Sequence, residues 1–141
     1  MNSEINTVHF NLAQLFESQG KKSEAEQQYL EEIRVAPKNY KAHFNLGRLY
    51  IDLGKTQSGI DQLNACVEDA PDFSLGYLFL AQAYVETGAD LTKAQQLAEK
   101  GLSLNPDPEY RPLGHLVLAD IYNRLGKHEL ERQQLELAKT R

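Results

Sequence analysis

The fold is decided by the stretch His43-Phe44-Asn45-Leu46-Gly47-Arg48-Leu49-Tyr50, because close variants of it occur three more times in the chain. The variants are His9-Phe10-Asn11-Leu12-Ala13-Gln14-Leu15-Phe16, Tyr77-Leu78-Phe79-Leu80-Ala81-Gln82-Ala83-Tyr84 and His115-Leu116-Val117-Leu118-Ala119-Asp120-Ile121-Tyr122. The first two copies lie 34 residues apart, and a glycine follows each copy: Gly20, Gly54, Gly88 and Gly126. A period of this size predicts stacked supersecondary units, not one compact globule.

Length and composition fit an ordinary globular chain. With 141 residues, 41% hydrophobic and 25% charged, the sequence suggests one domain and excludes a disordered tail. No apolar run approaches the roughly 18 residues that cross a bilayer, and the first residues lack the pattern of a signal peptide. We therefore expect a cytoplasmic location and no membrane contact. The first repeat begins almost at once, which is compatible with a piece of a longer protein.

The net charge limits the classes of partner, and the cysteine count limits disulfide formation. The net charge is -5, from 15 basic and 20 acidic residues, with no dense basic run. Nucleic acids and anionic membranes reward clustered Lys and Arg, so we expect neither as a partner. The single cysteine, Cys66, excludes an intramolecular disulfide.

Each repeat reads as two helices separated by a glycine. In the first repeat two groups of apolar residues have helical spacing, Gly20 separates them, and Pro37 ends the second helix. Asn39 is expected to cap the third helix, and Pro112 suits the first turn of the seventh. Capping boxes are expected at Ser23 with Glu26 and at Thr92 with Gln95. The predicted helices span 3–18, 23–36, 40–53, 56–70, 74–87, 92–104, 110–125 and 128–139.

We expect one array over residues 1–141, with repeats at about 6–39, 40–73, 74–108 and 112–141. The turn after Gly88 is one residue longer than its counterparts. The connector after Pro106 is about three residues longer. The last helix pair is therefore expected to be offset from a regular superhelix.

The pattern resembles the tetratricopeptide repeat, whose 34-residue motif runs large-x2-Leu-small-x2-aromatic, then Ala-x3-aromatic, then Pro. The first half matches in all four copies: Leu12-Ala13-x2-Phe16, Leu46-Gly47-x2-Tyr50, Leu80-Ala81-x2-Tyr84 and Leu118-Ala119-x2-Tyr122. The second half matches well in Ala25-x3-Tyr29 and weakens in later repeats. The resemblance implies an all-α fold, a right-handed α-solenoid of four antiparallel helix pairs. The small residues are expected to let paired helices approach to roughly 8–10 Å.

The resemblance also implies a concave groove lined by the first helix of each pair. Helical phase separates the packing stripe of these helices from an opposite face, which carries unusually many apolar groups. The candidate groove residues are Phe10, Asn11, Gln14, Lys41, Phe44, Asn45, Arg48, Leu78, Phe79 and Gln82. The same phase includes Ile51, Leu75, Val85, Glu86, Leu113, Leu116, Val117, Asp120, Asn123 and Arg124. An alternative reading assigns some of these aromatics to the core between repeats.

One subclass of the family binds the free carboxylate of a partner's C-terminus through Lys, Asn and Arg side chains. Here the corresponding positions are Phe10, Gln14, Asn45, Leu75 and Phe79. Only Asn45 matches, so we do not expect a carboxylate clamp.

Histidine and cysteine give no support for catalysis or metal binding. His9, His43 and His115 share one motif position, but equivalent positions in adjacent helices lie about 8–10 Å apart, whereas zinc–nitrogen bonds are about 2.0–2.1 Å. We expect rings packed on the paired helix, with a mild sensitivity to acid. Cys66 is expected to be buried and inert. Glycine-rich phosphate loops are absent, so we expect no enzyme, no metal and no cofactor.

The sequence thus predicts a non-catalytic module that docks a peptide segment or helix of another protein in its groove. Two alternatives stay open. The repeats could self-associate as a structural module, with a homodimer as the product. They could also be the accessory region of a larger enzyme or assembly factor.

Overall fold

In this computed structural model the backbone is described for residues 3–140 and the side chains for residues 8–140. Every regular element in that range is an α-helix. The helices are α1 (Ser3–Ser18), α2 (Lys22–Val35), α3 (Tyr40–Asp52), α4 (Thr56–Asp69), α5 (Ser74–Thr87), α6 (Leu91–Ser103), α7 (Arg111–Arg124) and α8 (His128–Lys139). Each boundary lies within one residue of the sequence prediction, and the all-α class of helix pairs is confirmed.

The chain divides into two compact units, Met1–Ala70 and Pro71–Arg141. In the first unit α1 packs on α2, α2 on α3, and α3 on α4. In the second unit α5 packs on α6 and α7, and α7 packs on α6 and α8. Each unit therefore contains two helix pairs joined by the contact of one pair's second helix with the next pair's first helix.

The repeated glycines make the turns within the pairs. Gly20, Gly54, Gly88 and Gly126 have φ values of 76°, 80°, 66° and 73°. Glycine adopts this left-handed conformation without the penalty that a Cβ imposes. A glycine at this point lets the chain reverse direction between the two helices of each pair.

Helix caps follow the sequence only in part. The Asn39 side chain accepts a hydrogen bond from the Ala42 amide at 3.3 Å, and Pro112 lies in the first turn of α7, as predicted. Both predicted capping boxes are wrong. Helix α2 starts after Lys21, without a side-chain cap, and α6 is capped by Asp90, which accepts from the Lys93 amide at 2.9 Å. Helices α2 and α6 start one residue before the predicted positions, whereas α4 and α8 start at them.

Small residues bring α3 and α4 together, as predicted. A Cβ added to Gly47 would lie 2.8 Å from Leu63 Cγ, and one added to Gly59 would lie 2.8 Å from the Gly47 carbonyl oxygen. Real Cβ atoms do not approach so closely, so a side chain at Gly59 would collide with backbone, and one at Gly47 would force Leu63 to shift. The weak match of Gly59 to the family motif is therefore a packing adaptation to Gly47.

The packing stripe of the first helices forms the core of each unit together with the second helices, and in the second unit Val85 and Val117 of the opposite face also join it. In the first unit the buried cluster is Ala13, Ala25, Tyr29, Leu46, Leu49 and Tyr50. In the second unit it is Ala81, Val85, Ala94, Ala98, Val117, Leu118, Ile121 and Tyr122. Burying these apolar side chains is the main stabilising contribution, about 25 cal/mol per Å² removed from water.

The histidines join the two helices of a pair. Nδ1 of His9 lies 2.8 Å from Gln28 Oε1, that of His43 lies 2.7 Å from Gln62 Oε1, and that of His115 lies 2.8 Å from Gln134 Oε1. Each glutamine follows its histidine by 19 residues. We call this contact the His–Gln bracket. It confirms that these rings pack on the paired helix.

The third pair lacks a bracket. Tyr77 stands at the histidine position, and its hydroxyl donates to the Pro71 carbonyl at 2.9 Å. His43 makes the equivalent contact, with Nε2 2.8 Å from the Pro37 carbonyl oxygen. Histidine and tyrosine at this position therefore both tie the first helix of a pair to the proline segment before it.

Candidate partner-binding surfaces

A cavity of about 250 Å³ lies between α5 and α7 in the second unit. We call it the α5/α7 cleft. Its lining residues are Gln82, Val85, Glu86, Leu113, Leu116, Val117, Asp120 and Arg124. All eight belong to the face that helical phase separates from the packing stripe.

The α5/α7 cleft has an apolar base and a charged rim. Val85 and Val117 are buried, whereas Leu116 is about half exposed at the mouth. On the rim, Arg124 Nε lies 3.2 Å from Asp120 Oδ1, and both side chains are about half exposed. An ion pair this exposed contributes little to stability, so its groups can exchange partners. The cleft can take an apolar side chain and offer charged groups beside it.

Seven of the ten predicted groove residues, Phe44 among them, lie on α1 and α3 of the first unit. Asn11, Gln14 and Lys41 are exposed, and Asn45 and Arg48 are half buried. The Asn45 side-chain amide donates to the Lys41 carbonyl oxygen at 2.9 Å, one turn earlier in its own helix. The Asn45 amide nitrogen is thus engaged within α3 in this structure.

Two predicted groove aromatics of the first unit pack against other side chains, Phe10 half buried and Phe44 buried. Phe10 packs edge-on against Tyr29 with ring centroids 6.2 Å apart, and Phe44 is buried beneath the Arg48 guanidinium, 5.6 Å from its ring centroid. The Tyr29 hydroxyl donates to Glu17 Oε1 at 2.5 Å. Burial, followed by this hydrogen bond, raises the pKa of Tyr29 well above its ordinary range. Phe10 therefore belongs largely to the core of the first unit.

Leu78 is not a surface residue. It is fully buried, and its side chain packs where Cβ atoms on Gly101 and Gly114 would lie. Ile51 similarly packs against Gly59 on the paired helix. Helical phase placed both side chains on the groove face, but the missing side chains of the glycines leave space that Leu78 and part of Ile51 occupy. Phe79 and Gln82 are half buried, and Gln82 lines the α5/α7 cleft.

Sequence reasoning missed Glu32. This side chain is fully buried, its Oε1 accepts from Asn39 Nδ2 at 2.8 Å, and its Oε2 has no hydrogen-bond partner. One period later the same motif position holds Cys66, a small residue. The alignment of Glu32 with a small residue at a buried motif position could have indicated that this glutamate is buried.

Cys66 is buried, as predicted. Burial, with a smaller effect from the charge of Asp69, raises the pKa of the Cys66 thiol to about 12. The thiol therefore stays protonated at neutral pH and is a poor nucleophile. Among the described side chains, His, Cys, Asp and Glu form no group of three that could hold a metal ion. Within the described residues no helix has the length and apolar character needed to cross a membrane.

Residues 10–72 match the family model described as Tetratricopeptide repeat, so this segment belongs to that family. The match runs from the middle of α1 to just beyond the end of α4 and confirms the resemblance drawn from the sequence. No curated protein is significantly similar to the chain in sequence.

Solved structures share the fold over nearly the whole chain. A crystal structure of MamA has a TM-score of 0.85 and 19% identity, and the alignment covers 97% of this chain and 73% of MamA. BtubC from P. vanneervenii has a TM-score of 0.84 and 17% identity, with coverage of 95% and 61%. The first tetratricopeptide domain of Spaghetti (RPAP3), solved with the HSP90 peptide SRMEEVD, has a TM-score of 0.81 and 21% identity, with coverage of 89% and 97%. At these identities the similarity establishes the fold.

The tetratricopeptide fold is a protein–protein interaction module, and its members are generally non-catalytic.

Proposed function

We propose that this chain is a non-catalytic module that docks a peptide segment or helix of a partner protein on the faces of its first helices. The α5/α7 cleft carries the proposal, because it combines an apolar base with polar groups at its mouth. Binding sites for partner side chains usually have this composition. That the four repeats form one array, and that the partner lies in the cytoplasm, are parts of the proposal.

The α5/α7 cleft would anchor one apolar side chain. Its volume of about 250 Å³ accommodates a leucine, methionine or aromatic ring. Leu116 would close over such an anchor, and Gln82 would bond the backbone beside it. In the first unit Asn11, Gln14, Lys41, Asn45 and Arg48 would supply polar contacts that fix the register of an extended segment.

The anchor can be tested with peptides selected from a random phage-displayed library on the wild-type protein. We expect Leu116→Ser to weaken binding of a selected peptide at least tenfold, or about 1.4 kcal/mol. Fluorescence anisotropy measures the change. Leu125→Ser is the matched control, since Leu125 is a similarly exposed leucine that does not line the cleft. Equal loss in both variants, or in neither, would contradict the assignment.

Two further binding measurements define the class of ligand. Asn45→Ala with Arg48→Ala should weaken a peptide that contacts the first unit, without unfolding the protein. The peptide SRMEEVD, which the RPAP3 domain binds, should not bind here, because Asn45 alone matches the carboxylate-binding pattern. Tight binding of SRMEEVD would favour a carboxylate clamp over an apolar anchor.

A further inference from the structure

The lining of the α5/α7 cleft carries more negative than positive charge. Of its three charged residues, Glu86 and Asp120 are acidic and Arg124 is basic, which leaves one negative charge in excess. All three side chains are exposed, so a ligand docked in the cleft would meet them. The charge of the ligand therefore affects how well it binds.

The positive charge of Arg124 is already balanced within the protein. Its Nε lies 3.2 Å from Asp120 Oδ1. A Cβ added to Gly88 would lie 3.9 Å from Arg124 Nη1, so the guanidinium also reaches the residue that follows α5. The C-terminal end of a helix presents unpaired carbonyl oxygens and a partial negative charge. Arg124 thus lies between two negative groups of the second unit.

Glu86 has no comparable partner. It is the one charged residue in the sequence of α5, and it lies in the last turn, where the helix dipole disfavours a carboxylate. Among the described side chains none forms an ion pair with it. A cation brought by a ligand would therefore offset a charge that the protein leaves uncompensated.

The carboxylate and the apolar base of the cleft are neighbours in the chain. Val85, which is buried in the base, directly precedes Glu86 in α5, and both line the cleft. A ligand that inserts an apolar side chain against Val85 thus brings its next residues close to Glu86. The cation and the anchor must be near each other in the ligand.

We propose that the α5/α7 cleft binds a segment of another protein in which a lysine or arginine lies close to the apolar anchor. The inference rests on the proposed docking function and adds the charge of the ligand. An acidic segment would have to approach Glu86 and Asp120, and like charges repel. The net charge of -5 also favours the approach of a cationic segment.

Peptide selection tests the charge of the ligand. Random phage-displayed peptides are selected in parallel on the wild-type protein and on Glu86→Lys. Wild-type peptides should carry a lysine or arginine within about four residues of a large apolar residue, a distance of one helical turn. Peptides from Glu86→Lys should lack that basic residue or have Asp or Glu there. Glu99→Lys is the matched control, because Glu99 is an exposed glutamate of α6 outside the cleft. It should select the wild-type pattern.

Affinity measurements test the pairing directly. Fluorescence anisotropy with one selected wild-type peptide should show binding to Glu86→Gln weakened about threefold at low salt, as expected for an exposed ion pair. Glu99→Gln should bind like the wild type. Added salt screens exposed charges, so the difference between Glu86→Gln and the wild type should shrink as salt is raised. A peptide with its basic residue replaced by Glu should bind Glu86→Lys more tightly than the wild-type protein.

Two kinds of failure can be told apart. Selected peptides that Leu116→Ser weakens, but that lack a basic residue or bind Glu86→Gln unchanged, overturn the charge assignment alone. Peptides with an acidic residue beside the anchor that Arg124→Gln weakens also overturn it. If no peptide is selected, or if Leu116→Ser has no effect, the docking function fails and the charge assignment fails with it.

Discussion

Glu32 places a carboxylate inside the first unit with one oxygen unsatisfied. Among the described side chains it is the one with a fully buried polar atom that lacks a partner. Its other oxygen holds the Asn39 amide, and Asn39 in turn caps α3. Glu32 on α2 thus helps to set the start of the next helix pair, but leaving a charged oxygen unpaired costs free energy.

We expect Glu32→Gln to raise the free energy of unfolding by about 1 kcal/mol, because a neutral amide costs less than a carboxylate to leave unpaired. The amide oxygen keeps the hydrogen bond from Asn39. Urea denaturation measures the change. Glu24→Gln, an exposed glutamate on the same helix, is the control and should have little effect. A loss of stability in Glu32→Gln would mean that the carboxylate has an additional favourable contact.

At the scale of the helices, the close contact between α3 and α4 depends on two glycines facing each other. The Gly47 carbonyl lies where a Cβ on Gly59 would sit. Backbone atoms of a packed helix cannot move aside cheaply. By contrast, a Cβ on Gly114 in α7 would meet side-chain atoms of Leu102 and Leu78. The two positions therefore tolerate a methyl group differently.

We expect Gly59→Ala to lower the free energy of unfolding by about 2 kcal/mol, because overpacking outweighs the better helix propensity of alanine. Gly114→Ala should change it by less than about 1 kcal/mol, since the leucine side chains can shift. Thermal and urea denaturation of both variants give the comparison. Equal losses would show that α4 can move away from α3 as easily as the Leu102 side chain rotates.

The helix boundaries could be predicted because several signals agree at each end. The apolar period, a glycine with positive φ and a following proline all define the same limits in the first two pairs. Helix caps were predicted less well. Ser23 and Thr92 fit the capping-box motif, but the turn before each helix places a different residue at the cap position. The residue that caps a helix is decided by the geometry of the preceding turn. A four-residue sequence pattern does not contain that geometry.

At the scale of the whole molecule, the buried phenols and the buried thiol prefer to stay protonated. Burial, followed by a hydrogen bond to Glu26, raises the pKa of Tyr50 to about 12. Burial also raises the pKa of Tyr29 and of Tyr122, and that of Cys66 reaches about 12. Both units therefore contain groups whose ionisation opposes folding.

We expect stability to fall in alkali. Each of these groups has a higher pKa in the folded state than in the unfolded state, so its contribution is complete below pH about 9 to 10 and is lost as pH rises towards 12. Melting curves followed by circular dichroism between these limits measure the fall. Tyr29→Phe should make the decline shallower, and the exposed Tyr110→Phe is the control. A melting temperature that is constant up to pH about 11 would contradict the expectation.

The sequence predicts which face of the helices carries the candidate site, but not which residues of that face are buried. Helical phase separates one face of α5 and α7 from the packing stripe, and the α5/α7 cleft lies on that face. Phase alone cannot tell that Leu78 fills the space left by Gly101, because this contact joins residues far apart in sequence. Nor does it show that Leu116 stays at the surface. These differences come from how closely neighbouring helices pack.

The His–Gln bracket also restricts where the chain can change its length. A residue added or removed between the partners would rotate the second helix by about 100° and carry the glutamine away from the histidine. The first, second and fourth pairs therefore tolerate few insertions in their turns. The third pair has Tyr77, which bonds the preceding segment, and its turn already holds an extra residue. A label or inserted loop is best accommodated after Gly88.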